Sequence, residues 1–227
     1  MSRDWKLTAE QLQKSLLVRK AIISPLIGAK PEEEHETGKR LNQDELKRLL
    51  KIVRFTRHRE RNRLIVLFSF LAGLRACEIA QLKIKDVISE IGEVKDTIYL
   101  KSFQTKGNSD QQVIVSETLR REIGQYINKH QYLLSNREGY LLRSQKTREG
   151  FSSQTIQNLF RFLYQEAHIE NASSHSGRRS FITNLSEKGV SVRVIQELAR
   201  HSSMVTTQRY IDVSVDKLKN AVELVGI

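Results

Sequence analysis

The chain has 227 residues, of which 39% are hydrophobic and 28% charged, enough apolar material for one or two ordinary domains with a real core. Lysine and arginine number 38 against 26 acids, and the net charge of +12 favours a polyanionic partner, most simply nucleic acid. The single cysteine, Cys77, excludes an intramolecular disulfide, argues against a thiolate zinc site and fits a reducing compartment. Met1–Lys6 mixes charges and lacks an apolar stretch, so no secretory signal is expected there.

Thr8–Ile23 shows helical periodicity through Leu12, Leu16, Leu17, Ile22 and Ile23, and Ser24-Pro25 ends it, because proline disfavours a helical residue before it. Lys30–Arg40, with Pro31 and Gly38, reads as a charged linker. This divides the chain into a short helical segment plus linker, 1–40, and a main domain, 41–227. Asn42 is placed to cap a helix, with Glu45 three residues on and Leu46, Leu49, Leu50 and Val53 on one face. Arg59–Ala72 carries the longest apolar run, Leu64–Leu74. Interrupted by Ser69 and Gly73, it is shorter than the about 20 residues a bilayer requires and predicts a buried helix. Gly73 ends that helix, and Arg75–Leu82 restarts as a short one.

The period then changes. Val87–Ile91, Thr97–Lys101 and Gln112–Val115 read as three short strands, with turns at Gly92 and Lys106–Asp110. Helical patterns return over Glu117–Tyr132, Ser153–His168, Arg178–Glu187, Val192–His201, Thr206–Ile211 and Val215–Val225, and Gly139–Arg143 is a short extended piece. The expected fold class is mainly α with one small antiparallel β-sheet, an α+β domain.

Chemistry concentrates in the last third. Tyr210 alone would be packing or surface, since a phenol with a pKa near ~10 is a poor nucleophile unaided. To attack a phosphodiester it needs cations on the non-bridging oxygens, and Arg75 and Arg178 supply the forked, permanently charged group that suits them. Each arginine by itself is more often a surface charge, and a lone histidine is more often structural. His175 and His201 titrate in the range useful for moving the tyrosyl proton, and His175 lies three residues before Arg178, on one face of a helix start.

Taken with their flanks, these residues form a recognisable order. Phe70-Leu71-Ala72-Gly73-Leu74-Arg75-Ala76-Cys77-Glu78-Ile79-Ala80-Gln81-Leu82 is followed by His175-Ser176-Gly177-Arg178, and His201 precedes Tyr210 by nine positions in a segment ending Thr206-Thr207-Gln208-Arg209-Tyr210. From about Leu41 to Val222 the chain resembles the tyrosine recombinase (phage integrase) family. The resemblance implies that family's catalytic domain, with Arg75, Lys106, His175, Arg178, His201 and Tyr210 as the catalytic set and Glu78 buttressing the arginines. Lys106, in a turn between two predicted strands, would protonate the departing 5′ oxygen, ahead of Lys101. The sequence departs from the pattern at Gly177, where many members carry leucine, and at Arg200, where glycine usually precedes the histidine.

The implied activity is site-specific DNA recombination by transesterification: tyrosine displaces a 5′ hydroxyl to leave a 3′ phosphotyrosyl link, and another 5′ hydroxyl reverses it. Bond exchange of this kind requires neither ATP nor a metal, and no cofactor is expected; the sequence has no P-loop. The implied partners are double-stranded DNA at specific sites and further copies of the chain, as a tetramer on DNA with the last helix docked on a neighbour. No membrane association is expected, and the location would be cytoplasmic, in a bacterial, phage or mobile-element context. Basic clusters at Arg54–Arg63, Lys83 and Lys85, Arg120 and Arg121, and Arg143–Arg148 are candidate phosphate contacts. Two other readings stand beside this one. The short stretch before Leu41 suits a truncated integrase fragment or a non-catalytic DNA-binding regulator, and a type IB topoisomerase shares the tyrosine chemistry.

Overall fold

The computed structural model describes residues 38–105, 109–144, 147, 149–211, 219 and 222–223. The helix expected over Thr8–Ile23 and Lys106 lie outside the described residues, as does most of the helix expected over Val215–Val225, of which Lys219, Val222 and Glu223 are helical. Chain order is α1 (Gln43–Phe55), α2 (Arg59–Ala72), α3 (Ala76–Gln81), α4 (Ile84–Val87), β1 (Thr97–Leu100), β2 (Gln111–Ile114), α5 (Glu117–Lys129), α6 (Ser153–Glu166), α7 (Ser176–Glu187), α8 (Val192–Ala199) and α9 (Met204–Gln208). Short 3-10 turns occupy Ser102–Gln104 and Gln131–Ser135. Among the described residues, no helix is long and apolar enough to cross a membrane.

Local chemistry sets most boundaries. Asn42 accepts from the backbone N–H of Glu45 at 2.8 Å while Glu45 accepts from that of Asn42 at 3.0 Å, the reciprocal capping box that starts α1. Ser116, Ser152 and Ser191 cap α5, α6 and α8 with their hydroxyl oxygens. Gly73 ends α2 in the left-handed region at φ 60°, and a Cβ there would lie 2.7 Å from the Phe181 ring, so both conformation and space require glycine.

Among the described residues the sheet has two strands, not three: β1 and β2 pair antiparallel, with Ile98 opposite Val113. Val87–Ile91, expected as a strand, instead begins on the last residue of α4 and continues into a turn. Asp86 accepts from the Lys83 backbone N–H at 2.9 Å and so caps a helical turn that buries Ile84 and Val87. An apolar pair three residues apart fits one face of such a turn, and the run was too short for periodicity to tell helix from strand. Ile88 then makes a single bridge to Val94 around Gly92.

A large apolar core centres on α2, whose Ile65, Val66 and Phe68 are fully buried, and it includes α1, α3, α5 and α6. A smaller core joins α7, α8 and α9 through Ile182, Ile195 and Ala199, with Phe181, Leu185, Tyr210 and Ile211 against it. The two meet where α7 crosses α2 at Gly177. A Cβ on Gly177 would lie 2.2 Å from Ser69 Oγ, 2.8 Å from Ser69 Cβ and 2.9 Å from the Phe70 ring. The departure from leucine noted above therefore has a packing cause. Among the described residues, packing reaches back at least to Lys39: the Lys39 N–H donates to Asn171 O at 3.0 Å, and the Leu41 N–H to Ser180 Oγ at 2.9 Å.

Alanine normally stabilises a helix interior over glycine by up to about 1 kcal/mol. At Gly177 overpacking against Ser69, of about 1–3 kcal/mol, should outweigh that gain. Urea denaturation should show Gly177→Ala less stable than wild type and Gly177→Leu less stable still; a Gly177→Ala midpoint at or above wild type would show that α2 and α7 do not approach this closely.

Candidate active site

Two helices end beside each other, and each end carries unpaired carbonyls with a partial negative charge. α2 stops at Gly73, and α8 stops at Arg200, which also adopts the left-handed conformation, at φ 57°. Buried guanidinium groups answer those carbonyls. Arg178, on the first turn of α7, donates through Nη1 to Gly73 O at 2.7 Å and through Nη2 to Ala199 O. Arg200 donates through Nη1 to Ala72 O and Leu198 O, each at 3.2 Å, and through Nη2 to Gly73 O at 3.2 Å.

The third guanidinium belongs to Arg75, the residue before α3. Glu78, one turn into α3, receives its Nη1 on Oε1 at 2.9 Å and its backbone N–H on Oε2 at 2.9 Å. Oε2 also accepts from Arg200 Nη2 at 2.8 Å. The Glu78 side chain is wholly buried, that of Arg200 is 3% exposed and that of Arg75 is 16% exposed. Burial alone would raise the Glu78 carboxyl, but the charges of Arg200, Arg75 and Arg178 and the Arg75 N–H outweigh it and hold Glu78 below its ordinary range. Arg178 is pushed below the usual guanidinium range, first by burial and then by Arg75 and Arg200.

His201 follows Arg200 directly. Its Nδ1 lies 2.9 Å from Thr207 Oγ1 on α9, and its backbone carbonyl accepts from Gln196 Nε2 at 3.1 Å. Burial first, then Arg178, Arg75 and Arg200, lower its pKa to about 3, so the ring is neutral at neutral pH. Its Nε2 is buried and has no hydrogen-bond partner among the described residues. The ring stacks on Tyr210, with centroids 5.8 Å apart and planes 23° apart. Tyr210, just beyond α9, is partly buried, and the Arg179 guanidinium lies 5.6 Å from its ring centroid.

The structure thus brings together Arg75, Arg178, His201 and Tyr210, with Glu78 at the centre of the arginines. His175 stands half-buried at the start of α7, three residues before Arg178. The connection that carries Lys106 is closed by a bond from Thr105 Oγ1 to Ser109 O at 2.9 Å. Ser109, Gln111 and Ile114 line the same open cleft as Arg75, Arg200 and His201, so the β-hairpin faces the arginines. Cys77 is half-buried, with its thiol pushed up by burial, as suits a packing residue.

Arg200 was read only as a backbone departure; its side chain in fact enters the arginine cluster, and the available signal was a cation at a helix C-terminus. Several basic residues read as phosphate contacts are engaged within the protein. Arg63 pairs with Glu122 at 2.5 Å, Lys85 with Glu138 at 2.6 Å and Arg120 with Asp96 at 2.5 Å, while the half-buried Arg61 lies over the Phe151 ring and donates to Arg143 O at 3.2 Å.

Removing the charge of Glu78 leaves buried cations uncompensated, so Glu78→Gln should destabilise by about 3–5 kcal/mol. The pH dependence follows from two depressed groups. Glu78, below its ordinary 4.5, contributes stability that is present above that pH and lost as pH falls through the folded value. His201 stays neutral in the folded chain to about pH 3, whereas the unfolded ring takes a proton near 6.5, so stability declines as pH drops below 6.5. Thermal melting should therefore fall between pH 7 and pH 4, and His201→Gln should flatten that decline. Identical pH profiles for the two proteins would contradict the buried, neutral assignment.

Comparison with known proteins shows the family and the fold. The family model described as "Phage integrase family" matches residues 39–217. Tyrosine recombinase XerA of Thermococcus kodakarensis is 36% identical over 195 residues, covering 85% of this chain and 64% of the relative. XerA of Pyrococcus furiosus is 33% identical over 187 residues, covering 82% and 61%. A crystal structure of XerA recombinase superposes with a TM-score of 0.65 at 27% identity, covering 83% of this chain and 65% of that one. The XerH recombinase bound to its difH substrate, at 22% identity and a TM-score of 0.63 over 88% of this chain, shares the fold. The chain spans a little over three-fifths of the length of these XerA relatives. With its family model covering most of its length and its fold that of recombinase catalytic domains, the chain belongs to the phage integrase family of tyrosine recombinases.

Proposed function

We propose that the chain is the catalytic part of a site-specific DNA recombinase, in which residues 41–227 form the catalytic domain and 1–40 a short segment before it. The observation that carries this reading is the buried arginine cluster around Glu78, opening beside a tyrosine stacked on a neutral histidine. A phosphodiester is held by Arg75 and Arg178, whose fixed charges stabilise the negative charge that grows on its non-bridging oxygens. Tyr210 Oη attacks phosphorus and loses its proton to His175. The bond to the 5′ oxygen breaks, Lys106 protonates that oxygen, and a 3′ phosphotyrosyl bond remains.

His201 has a distinct role in this scheme. In the tautomer where Nδ1 accepts from the Thr207 hydroxyl, Nε2 carries the proton of the neutral ring and donates a hydrogen bond to a phosphate oxygen. Its lowered pKa suits a hydrogen-bond donor that remains uncharged through the reaction. Attack by a 5′ hydroxyl from another strand runs the sequence backwards and restores Tyr210. The residues required are all side chains of this chain, and the scheme uses no metal or nucleotide. The partners are double-stranded DNA at specific sites and further copies of the chain, assembled as a tetramer on DNA. The recombinases of similar fold that are bound to DNA support this partner class.

The test is a nicked duplex carrying sequences from around the chain's own coding region, in which cleavage releases a short strand and traps the covalent species. Wild type should give a protein–DNA adduct on a denaturing gel, and Tyr210→Phe should give none while still retarding DNA in a native gel. Lys106→Ala should slow adduct formation by about 100-fold or more, the usual scale for general-acid loss. DNA retention without any adduct from wild type would instead support a non-catalytic DNA-binding regulator.

A further inference from the structure

Arg200 occupies a backbone region that L-residues with a side chain rarely adopt. Such conformations persist where surrounding contacts over-determine them. Here the contacts are four: Ala72 O, Leu198 O, Gly73 O and Glu78 Oε2. They join the end of α2, the last turn of α8 and the carboxylate that holds Arg75. The terminal torsion of a glutamate is soft, so a carboxylate bound on one side only can swing. On Glu78, Oε1 takes the Arg75 guanidinium and Oε2 takes the Arg75 N–H and Arg200, which fixes the carboxylate plane from both sides. His201 is the next residue, so the same anchor fixes the point from which its ring is presented.

We propose that Arg200 is a positioning residue of the strand-cleavage site: by gripping Glu78 and the end of α2, it holds Arg75 and the turn before His201 in their working places. It acts through Glu78 and the turn, without contact with the phosphate. The proposal rests on the recombinase reading above.

Arg200→Gly suits the test because glycine is at ease in the left-handed region, so removal of the guanidinium is not compounded by a worse backbone. Arg200→Lys keeps the charge but loses the fork. On the nicked duplex at saturating DNA, full-length Arg200→Gly should form adduct about tenfold more slowly or worse, with DNA affinity within about threefold of wild type. Arg200→Lys should recover only part of that rate. Adding Arg200→Gly to Glu78→Gln should cost little more than Glu78→Gln alone, since both act through one carboxylate. In arginine side-chain NMR, the guanidinium protons of Arg75 should exchange faster in Arg200→Gly, and should be unchanged in Lys47→Ala, which removes an exposed pair with Asp44. If Arg200→Gly does not fold, Arg200→Lys carries the same rate and exchange comparisons.

A wild-type rate with unchanged Arg75 exchange overturns the proposal. So does lost DNA affinity at an unchanged saturated rate, which would make Arg200 a phosphate contact. If wild type forms no adduct at all, the recombinase reading fails separately, and the Arg75 exchange result still decides this one.

Discussion

Arg75, Arg178 and Arg200 place three positive charges in a volume largely closed to water, and the surrounding structure compensates them. One carboxylate, Glu78, pairs with two of them. The helix-end carbonyls of α2 and α8, which lack partners within their helices, receive Arg178 and Arg200. A helix C-terminus is worth about half a negative charge, so two such ends and one carboxylate offset roughly two of the three positive charges. The remainder is suited to an incoming phosphate anion. A buried ion pair of this kind is weak evidence for stability, because desolvation offsets much of the attraction. Its benefit is preorganisation: donors already aimed and charged do not reorganise when the substrate arrives.

That arrangement constrains the packing around it. The two helix ends can meet only if α7 lies close on α2, and Gly177 against Ser69 is the contact that permits it. Gly73 must adopt a positive φ for α2 to stop where Arg178 and Arg200 can reach its carbonyls. The smaller core under α8 and α9 then sets Tyr210 against His201. Tyr210 therefore sits just past the five-residue α9, with its ring stacked on that of His201.

Much of this was legible in the sequence because the signals are local. Asn42 with Glu45, the continuous apolar run of α2 and the glycine after it each name a structure by mechanism. The motif order placed Arg75, Arg178, His201 and Tyr210 in one site before any contact was known. Three features were not legible. Val87–Ile91 is too short for periodicity to show that its first residue closes a helical turn and that only Ile88 makes a β-bridge. The pairing of Arg63 with Glu122, or of Lys85 with Glu138, joins elements far apart in the chain, so it could not be read from charge clusters in the sequence. Arg200 looked like a strained substitution because backbone preference can be read from a residue type, whereas the direction of a long side chain depends on what lies across the turn.

On the proposed function, Tyr210 attacks DNA from within a site that needs only protein side chains. The most direct test is to digest the trapped protein–DNA adduct, formed in the presence of a chelator, and map the linked residue by mass spectrometry. The account predicts a single nucleotide-modified peptide containing Tyr210, with the DNA attached through its 3′ phosphate. A link at another residue, a 5′ attachment or an adduct that requires a divalent metal would contradict it.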